Sequence, residues 1–509
     1  MKTLRLILGD QLNYNHSWFS EKDENTTYLM AELRSETDYA PHHIQKVCAF
    51  FLAMREFAGH LKNKGHRVVY YKLTQSKETD FYHLIKNQVK EGNYDRFEYL
   101  LPDEYRLDKT FESLKADLEI DVKAFDTEHF YTTRYELKNF FEGKKMYLLE
   151  NFYRNLRKKH DVLMEGSQPV TGQWNYDKEN RGKYTGKEEL PHKLLFEHST
   201  EDIVETLEKE GVKTIGTIDG NTSFRPVNRE ESLKLLHHFA EHALPLFGKY
   251  QDAMITQDWL LFHSNLSFAM NVKMIGPKEV VNRCIEEWEK RPDEISIAQI
   301  EGFVRQILGW REYMRGIYWA KMPRYATKNF FGFENKLPRW YWTGDTNMNC
   351  LKHAVKQSLE KAYAHHIQRL MVTGNFALLA GCDPDETDQW YLGIYADALE
   401  WVEITNTRGM SQFADGGIVG TKPYISSASY INKMSNYCKS CSYSHTKKTE
   451  EKACPFNSLY WRFFEVNRDK LGNNPRMGMM YRVWDKMEAD KKKAILDKAE
   501  YYLERINEL

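Results

Sequence analysis

The sequence predicts a doubly wound α/β parallel-sheet domain, a linker, and a large all-α domain. Three observations predict it. Residues 1–130 alternate short apolar runs with helix-period segments. Residues 150–230 are polar and irregular. From about residue 231, helix-length amphipathic segments follow one another, with few strand signals and sparse proline. The spans are 1–130, 131–230 and 231–509. At roughly 150 residues per domain, 509 residues suit two to three such units.

Residues 4–8, 27–32, 67–72 and 97–101 are the strand candidates. Segments 42–64, 80–91 and 108–118 between them have helical spacing. Val47, Phe50, Phe51 and Met54 fall at i, i+3, i+4 and i+7, one face of a helix. Alternation of this kind builds a parallel sheet covered on both faces. Ligands on such sheets sit beyond the carboxyl ends of strands. Gly9, Asp10, Gln11 and Glu32 occupy such ends, where ordinary turn chemistry is the competing reading. The stretch 150–230 reads as an ordered connection over the surface of both domains. In the helical half, segments 230–243, 277–291, 297–319, 350–379 and 491–507 are expected helices.

Hydrophobic residues are 41% and charged residues 28%, which suits a large core and excludes disorder. Aromatics reach 14%, enough to serve stacking or electron transfer while most fill core. The net charge of −1 excludes a polycation, although residues 301–350 carry a net +4 and 401–509 a net +5. The longest apolar run, 47–54, is far short of a span of roughly 20 residues. The apolar start of the chain breaks at Asp10 and reads as a strand, not a secretion signal. Seven cysteines argue against a disulfide scaffold and for a reducing, cytoplasmic setting.

Cys438 and Cys441 form a C-x2-C pair, and Cys454, followed by Pro455, lies thirteen residues on. Such a turn points two thiolates at one metal, and a distant Cys-Pro can complete the set. Cys350, at the start of a helix, and His445 are the best fourth partners. Cys48 and Cys284 read as buried apolar cysteines. Spacing alone leaves zinc and iron–sulfur open.

Four further segments mix hydroxyls, amides and arginines with apolar residues: 263–271, 303–313, 364–376 and 397–415. Buried polar groups need partners. Helix-internal networks or a large polar cofactor would supply them. His365 and His366 lie within one turn of Arg369, and imidazole suits proton transfer near neutral pH.

Residues 309–313 (Gly-Trp-Arg-Glu-Tyr), 363–371, 409–417 and 420–424 resemble the photolyase/cryptochrome superfamily. They look most like its iron–sulfur bacterial branch, and the similarity runs along essentially the whole chain. The resemblance implies FAD in the helical domain, a 4Fe–4S cluster on Cys350, Cys438, Cys441 and Cys454, and light-driven repair of (6-4) photoproducts in UV-damaged DNA. Tyr250, His263, Ser264, Leu266, Ser267, Gln306, Trp310, Arg311, His366, Arg369, Asp397, Glu403 and Asn406 are the implied FAD contacts. The superfamily Tyr-x3-Arg pattern is half present, since Met254 follows Tyr250. His366 is the expected proton donor, with His365 and Tyr424 or Tyr430 as helpers, and Met410 and Leu370 line the lesion pocket. Trp342, Trp390 and Tyr391 form the implied electron relay. Gly9, Asp10, Gln11 and Glu32 would contact a 6,7-dimethyl-8-ribityllumazine antenna. The resemblance implies a nucleoid-associated monomer. A blue-light photoreceptor with the same cofactors is the alternative, and an iron–sulfur nucleic-acid protein of primase type a third reading.

Overall fold

A computed structural model describes residues 1–509. Five strands, β1 Thr3–Leu6, β2 Thr26–Ala31, β3 Arg67–Tyr71, β4 Arg96–Leu100 and β5 Asp121–Phe125, form one sheet in the order β3-β2-β1-β4-β5. Every pairing is parallel, with Leu6 opposite Leu29 on one side and Tyr99 on the other. The order reverses at β1, so the carboxyl ends of β1 and its neighbours border a crevice.

Successive residues of a strand face opposite sides. Leu29 and Ala31 join Leu4, Leu6 and Phe97 in a small core under the helices Phe81–Gly92 and Tyr105–Asp117. Tyr28 and Met30 face the other way, onto Val47, Phe51 and Phe57 of the helix Ile44–Asn63. That second core runs unbroken into the helical half of the chain. The helix start is pinned there too. Lys46 Nζ donates to the carbonyls of Leu392 and Ala398, both at 2.8 Å. Gln45 Nε2 donates to the carbonyls of Thr217 and Glu360.

Several elements differ from expectation. β5 was not anticipated, because Asp-Val-Lys-Ala-Phe is a largely exposed edge strand with little apolar contrast. The span 131–230 is less irregular than its composition suggests. It holds helices Glu136–Phe140, Leu149–His160 and Glu201–Lys209, each with only a few buried apolar side chains. The helix expected over 350–379 is two. Asn349–Lys361 ends at Ala362 in the left-handed region (φ 47°), and the chain restarts at His366 behind the N-cap His365. No glycine or proline marks that break. The helix from Arg229 runs on to Tyr250 through a π turn at Phe239–Ala243. The helices Pro277–Lys290 and Ala489–Glu504 lie where amphipathic spacing puts them. Cys48 and Cys284 are fully buried among apolar side chains. No helix is long and apolar enough to cross a membrane.

One ion-pair network locks the sheet to the helical half. Lys273, 1% exposed, reaches Asp10 at 3.0 Å and Asp103 at 2.9 Å, and Arg315 reaches Asp103 at 3.2 Å. Burial opposes charge on Asp103, but Lys273 and Arg315 outweigh it and hold the carboxyl down at about 2. Its stabilisation is therefore full above its unfolded value near 4 and is lost as pH falls through about 2. In Lys273→Met two buried carboxylates lose their main counterion. Urea unfolding should show a loss of about 3–5 kcal/mol at pH 7. The deficit should shrink on mild acidification, as the stranded carboxyls protonate.

Candidate functional site

Three buried helical stretches of the C-terminal half each contain a π turn: Arg305–Arg311, Arg369–Gly374 and Thr405–Ser411. Such turns re-aim side chains and recur at functional sites. Within them, solvent reaches only Gln306 and Trp310 in the first, Arg369 in the second and Asn406 in the third. All four are implied cofactor contacts. The accessible residues His263, Ser264, Ser267, His366 and Asp397 likewise have wholly buried residues close by in sequence. Accessible polar groups inside a buried scaffold are the mark of an internal concavity.

Its anchor is an ion pair. Arg369 meets Asp397 in bidentate geometry, at 3.0 and 3.1 Å, and its guanidinium lies 3.8 Å from the Tyr395 ring centre. Burial opposes charge on Asp397, yet Arg369 and the Ser267 hydroxyl hold its carboxyl below the usual range. Asn271 donates to the Asp397 carbonyl at 2.7 Å.

Two histidines stack beside the pair. The rings of His263 and His365 lie 4.4 Å apart and nearly parallel. Nε2 of His263 and both ring nitrogens of His365 are buried without a protein partner, as are Oε1 of Glu403 and of Gln412. Burial pushes the His263 imidazole down to about 4 and the His365 imidazole well below its usual value. His366 differs. Crowding and accessibility point opposite ways for its ring, which is surrounded by protein yet open to solvent. Both hold for a side chain set among buried helices with one side open to solvent. The accessible surface decides that water and substrate can reach the ring, while crowding first and Arg369 second push its imidazole down to about 4.

Other expected contacts fall elsewhere. Leu266 is fully buried and offers the concavity only backbone. Tyr250 packs its ring on Phe262 and against Tyr184. Arg311 turns away toward the sheet domain. It reaches His129 at 3.1 Å and lies between the rings of Phe130 and Trp401, with Nε and Nη1 unpartnered. On the rim, Tyr424 and Tyr430 are half-buried, while Met410 and Leu370 are buried. Tyr430 donates to Asp252 at 3.1 Å, and burial pushes that carboxyl up to about 6. Nothing in the sequence singled out Asp252 or Tyr395.

The four cysteines expected to act together do meet. Cys350, Cys438, Cys441 and Cys454 line one small cavity with Met348, Ile431, Tyr437, Tyr443, His445 and Phe456. Burial raises the thiols of Cys350, Cys438 and Cys454, and their mutual proximity raises them further. No three His, Cys, Asp or Glu side chains are placed to hold a single metal ion.

The crevice at the strand ends is a cavity of about 110 Å³. Gly9, Asp10, Glu32, Phe50, Phe51, Glu104 and Trp401 are among its walls. Gln11 is not. Its amide bonds the Leu8 N–H and the Leu100 carbonyl, so it braces the strand ends instead. Glu32 lies on the wall, but its carboxylate is taken by Arg55, Tyr70 and the Leu73 N–H. Burial pushes Glu104 up to about 8.

A family model described as deoxyribodipyrimidine photo-lyase-related protein matches residues 5–222. A (6-4) photolyase of Agrobacterium fabrum is 39% identical over 511 residues, covering the whole of both chains. The chain belongs to the (6-4) photolyase family. An uncharacterized protein of Acanthamoeba polyphaga mimivirus is 32% identical over 136 residues, 27% of this chain and all of that protein. The crystal structure of a bacterial class III photolyase from Agrobacterium tumefaciens shares the fold, with a TM-score of 0.57 at 14% identity, covering 99% of this chain and 98% of that one. The five-stranded parallel sheet and the largely helical remainder are thus the photolyase fold.

This photolyase-family chain also carries a run of aromatic rings beside the ion pair. Tyr395, under Arg369, lies 6.0 Å from Trp390 and 5.7 Å from Tyr391, and Trp390 lies 5.0 Å from Tyr391. Trp390 also meets Tyr341 at 5.0 Å and donates its Nε1–H to the Tyr341 carbonyl. Trp342, next in sequence, is 38% exposed and stands at the surface.

Proposed function

We propose that this chain is a light-driven lyase that repairs (6-4) photoproducts in DNA, with FAD in the helical concavity. The carrying observation is the accessible polar lining inside buried helices, with His366 open at its wall. The unpartnered atoms of His263, His365, Glu403 and Gln412 fit a large polar cofactor, since buried polar groups without partners are costly. Gln306, Asn406, Ser264, Ser267 and the Arg369–Asp397 pair supply hydrogen bonds and charge around it. When bound, reduced FAD supplies the electron that light excites. The protein residues do the rest. Arg181, Lys422 and Arg476, close to Tyr424, favour a phosphate backbone at the rim. Leu370 and Met410 present an apolar surface to a base flipped from the stack. His366, open to solvent at the wall, is the proton donor, its neutral imidazole taking up a proton once the substrate phosphates are bound.

We assign the cysteine cavity to a 4Fe–4S cluster. Four soft thiolates, two fixed by one short turn, suit zinc and iron–sulfur alike; the resemblance to the iron–sulfur bacterial branch favours the cluster, with Cys350 completing the set in place of His445. The strand-end cavity suits a ribityllumazine. Glu32 and Glu36 on its walls disfavour a phosphate, while a protonated Glu104 can donate to a neutral ribityl chain. The rings of Phe50, Phe51 and Trp401 suit a flat chromophore.

The absorption spectrum of the purified protein, with light-against-dark repair of a lesion-bearing oligonucleotide, tests this reading. A protein without flavin, or repair equal in light and dark, ends it.

Three variants divide its parts. His366→Ala should keep flavin, iron and DNA binding and slow repair by about 10²-fold or more, the scale of a lost general acid. His366→Asn repairing nearly as wild type would instead mean that the ring only hydrogen-bonds the cofactor. Cys438→Ala should cost folding more than catalysis, because the site ties residue 350 to a loop nearly ninety residues on. Soluble, flavin-loaded Cys438→Ala with full iron content would contradict the ligand assignment. Trp390→Phe should keep flavin bound and slow its photoreduction strongly, since Trp390 bridges Tyr395 and Tyr341. Wild-type photoreduction in both Trp390→Phe and Trp342→Phe would place the electron path elsewhere.

A further inference from the structure

The cysteine cavity and the histidine cap are joined by one half-buried amide network. The helix Asn349–Lys361 carries Cys350 in its first turn and Gln357 two turns later. Gln357 and Gln368 pair reciprocally, Nε2 to Oε1, at 3.0 and 2.9 Å. Gln368 is the third residue of the helix that begins at His366, and its Oε1 accepts the His365 backbone N–H at 3.1 Å. Its Nε2 also donates to Tyr437 Oη at 3.1 Å.

Tyr437 is the residue before Cys438. It is 1% exposed and lines the cysteine cavity. Its ring lies flat against His353 of the Cys350 helix, 5.6 Å away and 6° from parallel, and its carbonyl accepts from Asn349 at 2.8 Å. Tyr437 therefore touches the Cys350 helix, the Cys438 turn and the histidine cap at once. The His365 ring is set by its stack on His263 and by the backbone cap that Gln368 holds.

We propose that Gln357, Gln368 and Tyr437 are positioning residues that couple the state of the cysteine site to the aim of His365 and His366. The proposal rests on the cluster and proton-donor assignments above. Four thiolates drawn onto one cluster fix the Cys438–Cys441 turn, and with it Tyr437 between His353 and Gln368. A turn released from the cluster frees the Tyr437 hydroxyl, removes a partner from the Gln368 amide and loosens the cap.

Tyr437→Phe and Gln368→Met, purified with flavin and cluster, test it. Iron content, flavin content and photoreduction should match wild type. Repair should slow at least about tenfold, a misaimed proton donor being costly. The midpoint of the His366 ring in a ¹⁵N-histidine NMR titration should move by about 0.3 or more, because its distance from Arg369 changes. Gln368→Glu, which keeps an acceptor for the His365 N–H, should recover part of the repair rate. Wild-type repair and an unmoved His366 titration in both variants overturn the coupling. Iron loss in both overturns it too, since Gln368, which touches no cysteine, would then serve cluster retention. Wild-type protein without iron, or without light-dependent repair, overturns the underlying assignment instead, whatever the variants do.

Discussion

The Arg369–Asp397 ion pair holds three separate stretches of chain around one concavity. Arg369 comes from the helix that starts at His366, and its Nε–H is anchored on the Ala364 carbonyl. Asp397 comes from the turn after the helix Pro384–Ile394. Its carbonyl takes the Asn271 amide, and its carboxylate is stabilised by the Ser267 hydroxyl. A bidentate pair of this kind fixes direction as well as distance. Removing either partner leaves a charge in a crowded site, so the pair is worth more as a constraint than as a source of stability. It also bears on the electrostatics of His366. Burial is the first cause of its low pKa, and Arg369, itself paired with Asp397, is the second.

The π turns explain how buried helices can line a polar site. A regular helix packed on all sides leaves no path for solvent to one side chain in seven. Widening a single turn shifts the register, so that one residue opens inward while its neighbours remain packed. Arg369 and Asn406 each hold that place, and the first turn opens two, Gln306 and Trp310. The orphaned nitrogens of the stacked His263–His365 pair are the counterpart. A polar ligand reaching them would offset the cost of their burial.

The first four strands were legible because their apolar residues are flanked by turn signals and separated by helix-period segments. β5 was not, since an exposed edge strand needs no apolar face. The break at 362–365 was invisible for a related reason. Ala-Tyr-Ala-His has ordinary helix propensity, and tertiary packing places Ala362 at positive φ. Three of the four cavity cysteines could be read from spacing, while Cys350 was one of two fourth partners until family resemblance chose it over His445. Its position 88 residues upstream of Cys438 leaves no local signal. The accessible residues of the π turns followed the same pattern, since a helical sequence does not say which buried-looking glutamine or asparagine faces a cavity. Arg311 shows the converse. Its motif pointed to the cofactor, and its side chain lies between Phe130 and Trp401, toward the sheet domain.

That placement matters for how the two cavities communicate. Asp397 faces the helical concavity, while Leu399, Glu400 and Trp401, only a few residues on, wall the cavity at the strand ends. Arg311 fills the space between, from Trp401 to Asn271, whose amide holds the Asp397 carbonyl. Lys46 pins the same segment from the sheet side through the Leu392 and Ala398 carbonyls. One short stretch of chain therefore fixes the separation of both sites. The buried Lys273 network holds the sheet and the helical half in register across the same boundary. A chromophore at the strand ends can deliver excitation usefully only if its distance and orientation to the acceptor are constant. A continuous core, a buried ion-pair network and a shared wall supply that constancy, where a flexible linker between independent domains could not.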